Sequence, residues 1–583
     1  MAAALEELGD LYELDGAIVH RVLAYRSAAR SVREASVSVA SLARAGRVTE
    51  LQGLGKTLEE KILALLDTGT IPAAERLKAR FPAGLVEITR LPGIGAKRAR
   101  KLHDELGIDS PQALRDAALA QRLRGVKGFG PKFEQSVLQT LQERDVKGGG
   151  DVLSIRRVTL PPALEVAQAL AAGLQERGPA DAQVLVAGSI RRQVEAVKDI
   201  DLIAVTQHPQ ELAQVLGQLE QIESVSSAGV AGARARTHFG LPVDLRIAAP
   251  TQLGNLLQHF SGSGRHNAAL REAAVKLGLH VSEYGIEDAK TGGSRTCLTE
   301  EEVYTALRRA WIAPELREDR GEIAASLLES RNGGLPQLIE ESDIKGDLHC
   351  HTVASDGHAS IEEMAAAAMQ RGYRYLAITD HSASHGFGNA VSPDQLRRQI
   401  ERVRECDAKL DGFKLLCGSE VNVLPDGSLD YEDELLSQLD WVIASVHTAF
   451  GIGEQEMTKR IITAIEHPLV DAIGHPTGRL IERREPYAVD IEQVIAAAAE
   501  TKTMLEINAN PDRRDLSELH ARAAAEAGVT LVIDSDAHWP ATLANMRWGV
   551  ATARRAWLTK AQVANTRTWP QLQRLRKPSA RRA

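Results

Sequence analysis

The chain has 583 residues, 44% of them hydrophobic and 25% charged, and a formal net charge of −8. That length exceeds one hydrophobic core and implies roughly three to five domains. Aromatic residues, at 4%, are too sparse for binding built on extensive base stacking.

No apolar run approaches the ~20 residues of a membrane span. The first residues, MAAALEELGDLYEL, are acidic and helical in pattern, unlike a signal peptide. Cys297, Cys350, Cys406 and Cys417 show no CxxC spacing, as expected of reduced thiols in cytoplasm.

Three related segments open the chain: LQGLGKTLEEKI (51–62), LPGIGAKRARKL (91–102) and VKGFGPKFEQSV (126–137). Each sets G-x-G between apolar residues and follows it with an amphipathic helical pattern. The first glycine allows a tight turn and the second exposes amides at a helix N-terminus. The pairs are Gly53 and Gly55, Gly93 and Gly95, and Gly128 and Gly130, with Lys97, Arg98 and Lys101 beside the second and Lys127 and Lys132 beside the third. The arrangement resembles a helix-hairpin-helix, which grips one DNA backbone without reading bases. One such segment is a weak signal; repetition beside basic residues is a strong one. Residues 1–150 carry 23 Lys+Arg and 19 Asp+Glu, a net of +4 that leaves −12 elsewhere, so the basic end is the DNA-facing end.

Between 188 and 203 the chain reads GSIRRQVEAVKDIDLI. On a strand, Asp199 and Asp201 emerge side by side, and two such carboxylates are costly together unless a cation lies between them. A bare D-x-D often marks only the solvent face of an edge strand. Here apolar residues flank it (Val184 to Ala187, Ile203 to Val205), and Asp244 offers a third carboxylate from LPVDLRI. Gly188, Ser189, Arg191 and Arg192 read as a turn into a helix, a cradle for phosphate.

This combination resembles the X-family DNA polymerases, in particular the microbial type with a C-terminal phosphoesterase domain, over nearly the whole chain. Ser189, Arg192, Asp199, Asp201 and Asp244 match the family's GS-x-RR, D-x-D and single-Asp pattern. His259-Phe-Ser-Gly-Ser-Gly-Arg-His-Asn267 resembles its nucleotide-pocket segment, departing at His259, where Tyr is frequent, and at Ser261, where Thr is frequent. The resemblance implies nucleotide binding by Gly188, Ser189, Arg192, His259, Phe260, Gly262 and Asn267, with Arg271 contacting the template. It also places Lys61, with Arg21 and Tyr25, where some members hold a Schiff-base lysine for abasic sugars; a phosphate contact is the plainer role. Thr89, Leu91 and Ile94 stand where hairpin carbonyls can bind a monovalent cation.

After a polar stretch at 318–342 the pattern alternates strand and helix, with GDLHCHT, YLAITDH, KLLCGSEVNV, WVIASVH, VDAIGH, MLEINA and TLVIDSDAH as strands and IEEMAAAAMQRG and VIAAAAETK among the helices. Such βα repetition implies a barrel-like parallel sheet whose loops at one end carry chemistry. Nearly every strand ends in a metal-capable residue: His349, His351, Asp356, His381, Glu420, His447, His475, Asp536 and His538. Mixed imidazole and carboxylate ligation suits Mn²⁺, Zn²⁺ or Fe²⁺ better than Ca²⁺. These residues resemble the ligand set of the PHP (polymerase and histidinol phosphatase) family, which implies a trinuclear site. One ion would take His349, His351, Glu420 and Asp536; a second Glu420, His447 and His475; a third Asp356, His381 and His538. Arg479, after His475-Pro-Thr, is a candidate phosphate contact.

The expected fold is multidomain. An all-α helix-hairpin-helix region comprises a lyase-like part (1–85) and a fingers-like part (86–150). An α+β nucleotidyltransferase palm (151–250), a thumb (251–317), a linker (318–342), a distorted α/β PHP barrel (343–573) and a basic tail (574–583) follow. The expected activity is short-gap DNA synthesis with Mg²⁺ or Mn²⁺ at Asp199, Asp201 and Asp244, plus 3′–5′ exonuclease or phosphoesterase activity with Mn²⁺ or Zn²⁺ in the barrel. Expected partners are gapped or primer-template DNA and deoxynucleoside triphosphates, for a cytoplasmic, nucleoid-associated monomer. Two rivals are a PHP phosphatase whose transferase modifies a non-DNA acceptor and an inactive DNA-end binder. The hairpins argue against the first, the complete ligand sets against the second.

Overall fold

Apolar periodicity sorts this chain into helices first and a parallel barrel last, and the computed structural model shows what those patterns build. It describes residues 1–17, 19–35, 39–51, 53–89, 94–126, 128–131, 133–135, 137–138, 141, 157–328, 334–386 and 389–577. Two compact units result: Met1–Arg156 with Gln214–Ser227 and Arg234–Pro242, and Arg157–Ala213 with Ala228–Ala233 and Val243–Ala583.

In the first unit, short helices surround one apolar core running from Leu5 and Leu8 through Ile62 and Leu85 to Val137 and Leu141. The expected division at 85/86 falls inside the helix Ala83–Thr89, so the two hairpin regions share a core. Gly55 and Gly95 are the N-caps of Lys56–Thr68 and Ala96–Leu106, and lacking side chains they leave the first amides of those helices open. Gly53 and Gly128 turn the chain with φ of +81° and +95°, a region glycine enters freely. Leu91, Gly93, Lys127 and Lys132 lie outside the described residues.

The second unit begins with a palm whose strand β1 (Gln183–Val186) runs antiparallel to β2 (Ile200–Val205), itself parallel to β3 (Pro242–Ala248). Leu202, Ile203 and Leu245 are fully buried, the apolar neighbours of the half-buried Asp201 and Asp244 on the same two strands. Helices Leu253–Ser261, Gly264–Lys276 and Glu300–Ala306, with a small antiparallel sheet, follow as the thumb. The stretch expected as a linker is packed at its start. Glu322 is buried on the His266 imidazole (2.7 Å), and a short helix spans Glu322–Ala325. Its charges looked solvated in sequence because their partners lie far away in the chain.

Seven parallel strands form the barrel: β4 (Gly346–Asp347), β5 (Tyr375–Ile378), β6 (Lys414–Asn422), β7 (Trp441–Ser445), β8 (Ala472–Ile473), β9 (Met504–Asn508) and β10 (Leu531–Asp534). A parallel bridge between Cys350 and Ala537 brings the last strand back to the first, nearly closing the sheet. Alternation sorts the side chains: Tyr375, Ala377, Leu416, Trp441, Ile443, Met504 and Val532 form one cluster, while Leu376, Ile378, Leu415, Val442, Leu505 and Ile533 join the other with the surrounding helices. Trp569 and Leu572 join the first cluster. The tail expected from residue 574 onward is anchored at its start, with Arg576 paired to buried Asp471 at 2.6 Å and Lys577 Nζ donating to the Ile465 carbonyl.

Candidate active sites

Two chemically distinct centres lie in the second unit. The first is a cavity of about 510 Å³ lined by Gly188, Ser189, Arg192, Asp199, Asp201, Phe260 and Gly262 among others. That volume falls in the range of ligand pockets. Asp201 and Asp244 are register partners on adjacent parallel strands, and β2 presents Asp201 beside the cradle turn. Gly188 makes this possible: its φ is +62°, and a Cβ there would collide with the Asp201 carboxylate. Burial, then the charges of Asp199 and Asp244, push the Asp201 carboxyl up to about 6. Arg246 donates to Asp244 Oδ2 at 2.8 Å, a cation already drawn to this acidic edge. The Ser189 hydroxyl is buried and makes no hydrogen bond, as befits a donor awaiting an acceptor. A buried acidic group with its pKa forced upward and an orphaned hydroxyl fit divalent cations and phosphate.

Not every predicted pocket residue lines this cavity. Asn267 donates to the His259 carbonyl (2.6 Å) and accepts from Gln258 (3.1 Å), fixing the turn that carries Phe260 and Gly262. Arg271 bonds the Asn267 carbonyl, and His259 stacks edge-on to Phe260 and lies 3.6 Å from Glu283. Arg191 turns away to Glu300 (2.8 Å), whereas Arg192 lines the cavity.

The second centre stands at the C-terminal ends of the barrel strands. Among the described residues, three donor sets each converge within 4.8 Å: His349, His351 and Asp536; His381, Glu420 and His447; and His351, Asp356, His381 and His538. Glu420 sits at the middle, its Oε1 within 2.9 Å of His475 and 3.2 Å of His447, its Oε2 within 2.8 Å of His381 and 3.3 Å of His349. All nine predicted ligands are therefore together. The palm trio is not among the sets that converge so tightly.

Electrostatics show what the barrel set wants. Burial pulls the His381 imidazole down, but Glu420 and Asp356 outweigh it and raise it to about 10. His538 is raised to about 9 by Asp356 and Asp536 against the same burial. Protons stand there where cations fit. The buried His351 Nδ1 makes no hydrogen bond, an arrangement that metal coordination satisfies. His475 and Asp536 adopt φ of +30° and +53°, local strain of the kind that collects at ligand-binding positions.

Sequence reading missed the supports. Glu506 Oε1 meets His349 Nδ1 at 2.6 Å; accepting that proton fixes the tautomer whose Nε2 faces the cluster. Asp380 accepts from Thr352, Ser355 and Gln399 and so holds the loop between His351 and Asp356. Arg513 Nε approaches Asp536 Oδ2 at 3.8 Å and is the guanidinium beside the cluster. Arg479, the sequence candidate, instead pairs with Glu195 at 2.6 Å. No short motif flags Glu506 or Arg513, and Glu506 lies in the middle of the strand Met504–Asn508 rather than at its end. In the hairpin unit, Lys61 Nζ bonds the Thr57 carbonyl of its own helix, while Arg21 lies over the Tyr12 ring and buried Tyr25 stacks on Tyr12.

A helix-hairpin-helix domain matches residues 1–71, a SAM-like helix-hairpin-helix tandem 85–143, the DNA polymerase beta thumb 256–318 and the PHP domain 347–510. The chain is 38% identical to the DNA polymerase/3′-5′ exonuclease PolX of Bacillus subtilis (strain 168), over 97% of this chain and 96% of that one. Its barrel region is 34% identical to a probable phosphatase of Thermoanaerobacter sp. (strain X514), over 38% of this chain and 89% of the relative. It is also 37% identical to a probable phosphatase of Shewanella sp. (strain MR-4), over 33% of this chain and 75% of that protein.

Proposed function

Since the chain belongs to the X-family DNA polymerases that carry a C-terminal PHP domain, we propose that it fills short gaps during DNA repair and trims 3′ ends in its barrel. The observation that carries this reading is the coexistence, in one unit, of a phosphate cradle beside paired aspartates and a nine-residue imidazole–carboxylate cluster. Asp199, Asp201 and Asp244 would hold Mg²⁺ or Mn²⁺, and the cluster would hold Mn²⁺ or Zn²⁺. When bound, such ions supply Lewis acidity that acidifies the attacking hydroxyl or water and offsets charge on the phosphoryl oxygens.

The chain's own residues do the positioning. Ser189 Oγ, the amides at Gly188 and Ser189, and the Arg192 guanidinium receive the triphosphate, with Phe260 and Gly262 against the sugar. The primer 3′-oxygen bonds the α-phosphorus as the bond to the pyrophosphate oxygen breaks. In the barrel, a water oxygen bonds the phosphorus of a terminal phosphodiester and the 3′-oxygen departs with a proton; Arg513 steadies the phosphate. Gly53, Gly55, Gly93, Gly95, Lys97, Gly128 and Gly130 grip the backbone of gapped or primer-template DNA. The Thr57 bond of Lys61 favours a phosphate contact over an abasic-site nucleophile. The domains divide this work in the order hairpins, palm, thumb and barrel, in a monomer that works on DNA in the cytoplasm. Among the described residues no helix is long and apolar enough to cross a membrane.

The test is extension of a primer across a one-nucleotide gap with Mg²⁺ or Mn²⁺, and 3′-end degradation in the same preparations. Asp201→Asn is expected to reduce extension at least about a hundredfold while degradation persists, and His349→Ala to do the reverse. Extension that survives Asp201→Asn removes the palm assignment.

A further inference from the structure

The turn that cradles phosphate is held from behind by the barrel. Its last residues offer their groups to three arginines of the other module. Arg555 Nη1 donates to the Arg192 carbonyl (2.8 Å), Arg514 Nη2 to the Gln193 carbonyl (3.1 Å), and Arg479 grips the Glu195 carboxylate (2.6 Å). Gln193 needs that hold, since its φ of +58° is a left-handed conformation a glutamine adopts only when its surroundings impose it.

Arg555 ends the barrel helix Met546–Arg555 and is 3% exposed, yet it also lines the nucleotide cavity. Its Nη1 reaches Glu318 at 3.1 Å and its Nη2 reaches Glu518 at 3.1 Å. Glu318 in turn takes the Arg192 side chain at 2.9 Å. One guanidinium therefore fixes the backbone of Arg192 and, together with Arg192 on Glu318 and Arg320 on Glu518 (3.3 Å), offsets the two carboxylates in the cavity wall that would otherwise repel a polyphosphate. Arg514 is buried and braced by Thr552 Oγ1 at 2.8 Å, so its reach to Gln193 is set by barrel packing.

We propose that the barrel completes the nucleotidyl-transfer site: Arg555 and Arg514 are positioning residues for the triphosphate, acting through the Arg192–Gln193 backbone. This rests on the assignment of the cavity to nucleotide binding. A lysine at either position keeps the charge but loses the planar fork that spans several acceptors at once.

The experiment measures single-nucleotide incorporation on a one-nucleotide gap by the full-length protein, with 3′-end hydrolysis in the same preparation reporting an intact barrel. Arg555→Lys is expected to raise KM for the deoxynucleoside triphosphate about tenfold or more, with kcat within about threefold and hydrolysis within about twofold of wild type. Arg514→Lys should give the same pattern with a smaller rise. Unchanged KM in both variants overturns the proposal, as does equal loss of incorporation and hydrolysis. Should neither arginine variant fold, Thr552→Val nearly keeps the volume and removes the hydroxyl that braces Arg514 and also bonds the Trp548 carbonyl of its own helix; a KM rise of about threefold with hydrolysis retained is expected, and an unchanged KM overturns the proposal. Absence of incorporation by the wild type would instead remove the nucleotide-site reading on which it rests.

Discussion

A methyl group on Gly188 would run into the Asp201 carboxylate, and the left-handed φ of this glycine adds strain to any substitution. Gly188→Ala is therefore expected to cut gap filling at least about a hundredfold with barrel hydrolysis retained, measured by paired extension and degradation assays. At the other centre, Glu506→Gln keeps the shape of the His349 support but weakens the acceptor for its Nδ1–H. Hydrolysis and metal affinity should fall about 10- to 100-fold, read by metal titration as well as by activity. These two residues also mark what a sequence can disclose. The nine clustered barrel residues were legible as candidates because strand ends put them in regular order, and Asp199, Asp201 and Asp244 because carboxylates on buried strands are anomalous. Glu506 was silent: one acid on an apolar strand has no spacing to betray it, and its meaning comes from a histidine 157 positions away.

Elements carry their own electrostatics. Glu300 opens the helix Glu300–Ala306 and is clasped by Arg191 and Arg317. Burial alone would raise its carboxyl, but the two guanidiniums outweigh it and hold it down to about 2. Because the folded value lies below the ordinary 4.5, the stabilisation is complete above pH 4.5 and drains away as pH falls toward 2. It is worth at most about 3 kcal/mol. Calorimetry between pH 5 and 2 (roughly the span of the shift) should show the thermal midpoint dropping. Arg317→Met, which leaves a buried carboxylate short of a partner, should cost about 3–5 kcal/mol near neutral pH. At this scale the βα alternation of the barrel and the glycine-capped hairpin helices were readable, since period and capping are local. The burial of Glu322 and the anchoring of Arg576 were not, because both depend on partners distant in sequence, His266 and Asp471.

For the whole molecule, the crowding of imidazoles and carboxylates around Glu420 makes metal binding a contribution to stability. Ions that bind the folded form alone add about 2.7 kcal/mol at a hundredfold excess over Kd. Differential scanning with Mn²⁺ should raise the midpoint of the wild type by several degrees and EDTA should reverse it, while His349→Ala shows little response. That result would tie the cluster to folding as well as to catalysis. Such a cluster also imposes an order on biosynthesis. His351 and His538 are nearly 190 residues apart, and their rings stack at 4.3 Å only when the final strand has come round to the first. A ribosome must deliver the chain through His538 before the full donor set can form, and a product that stops before that residue lacks part of it. A complete donor set thus reports that the last barrel strand has been made and has docked beside the first.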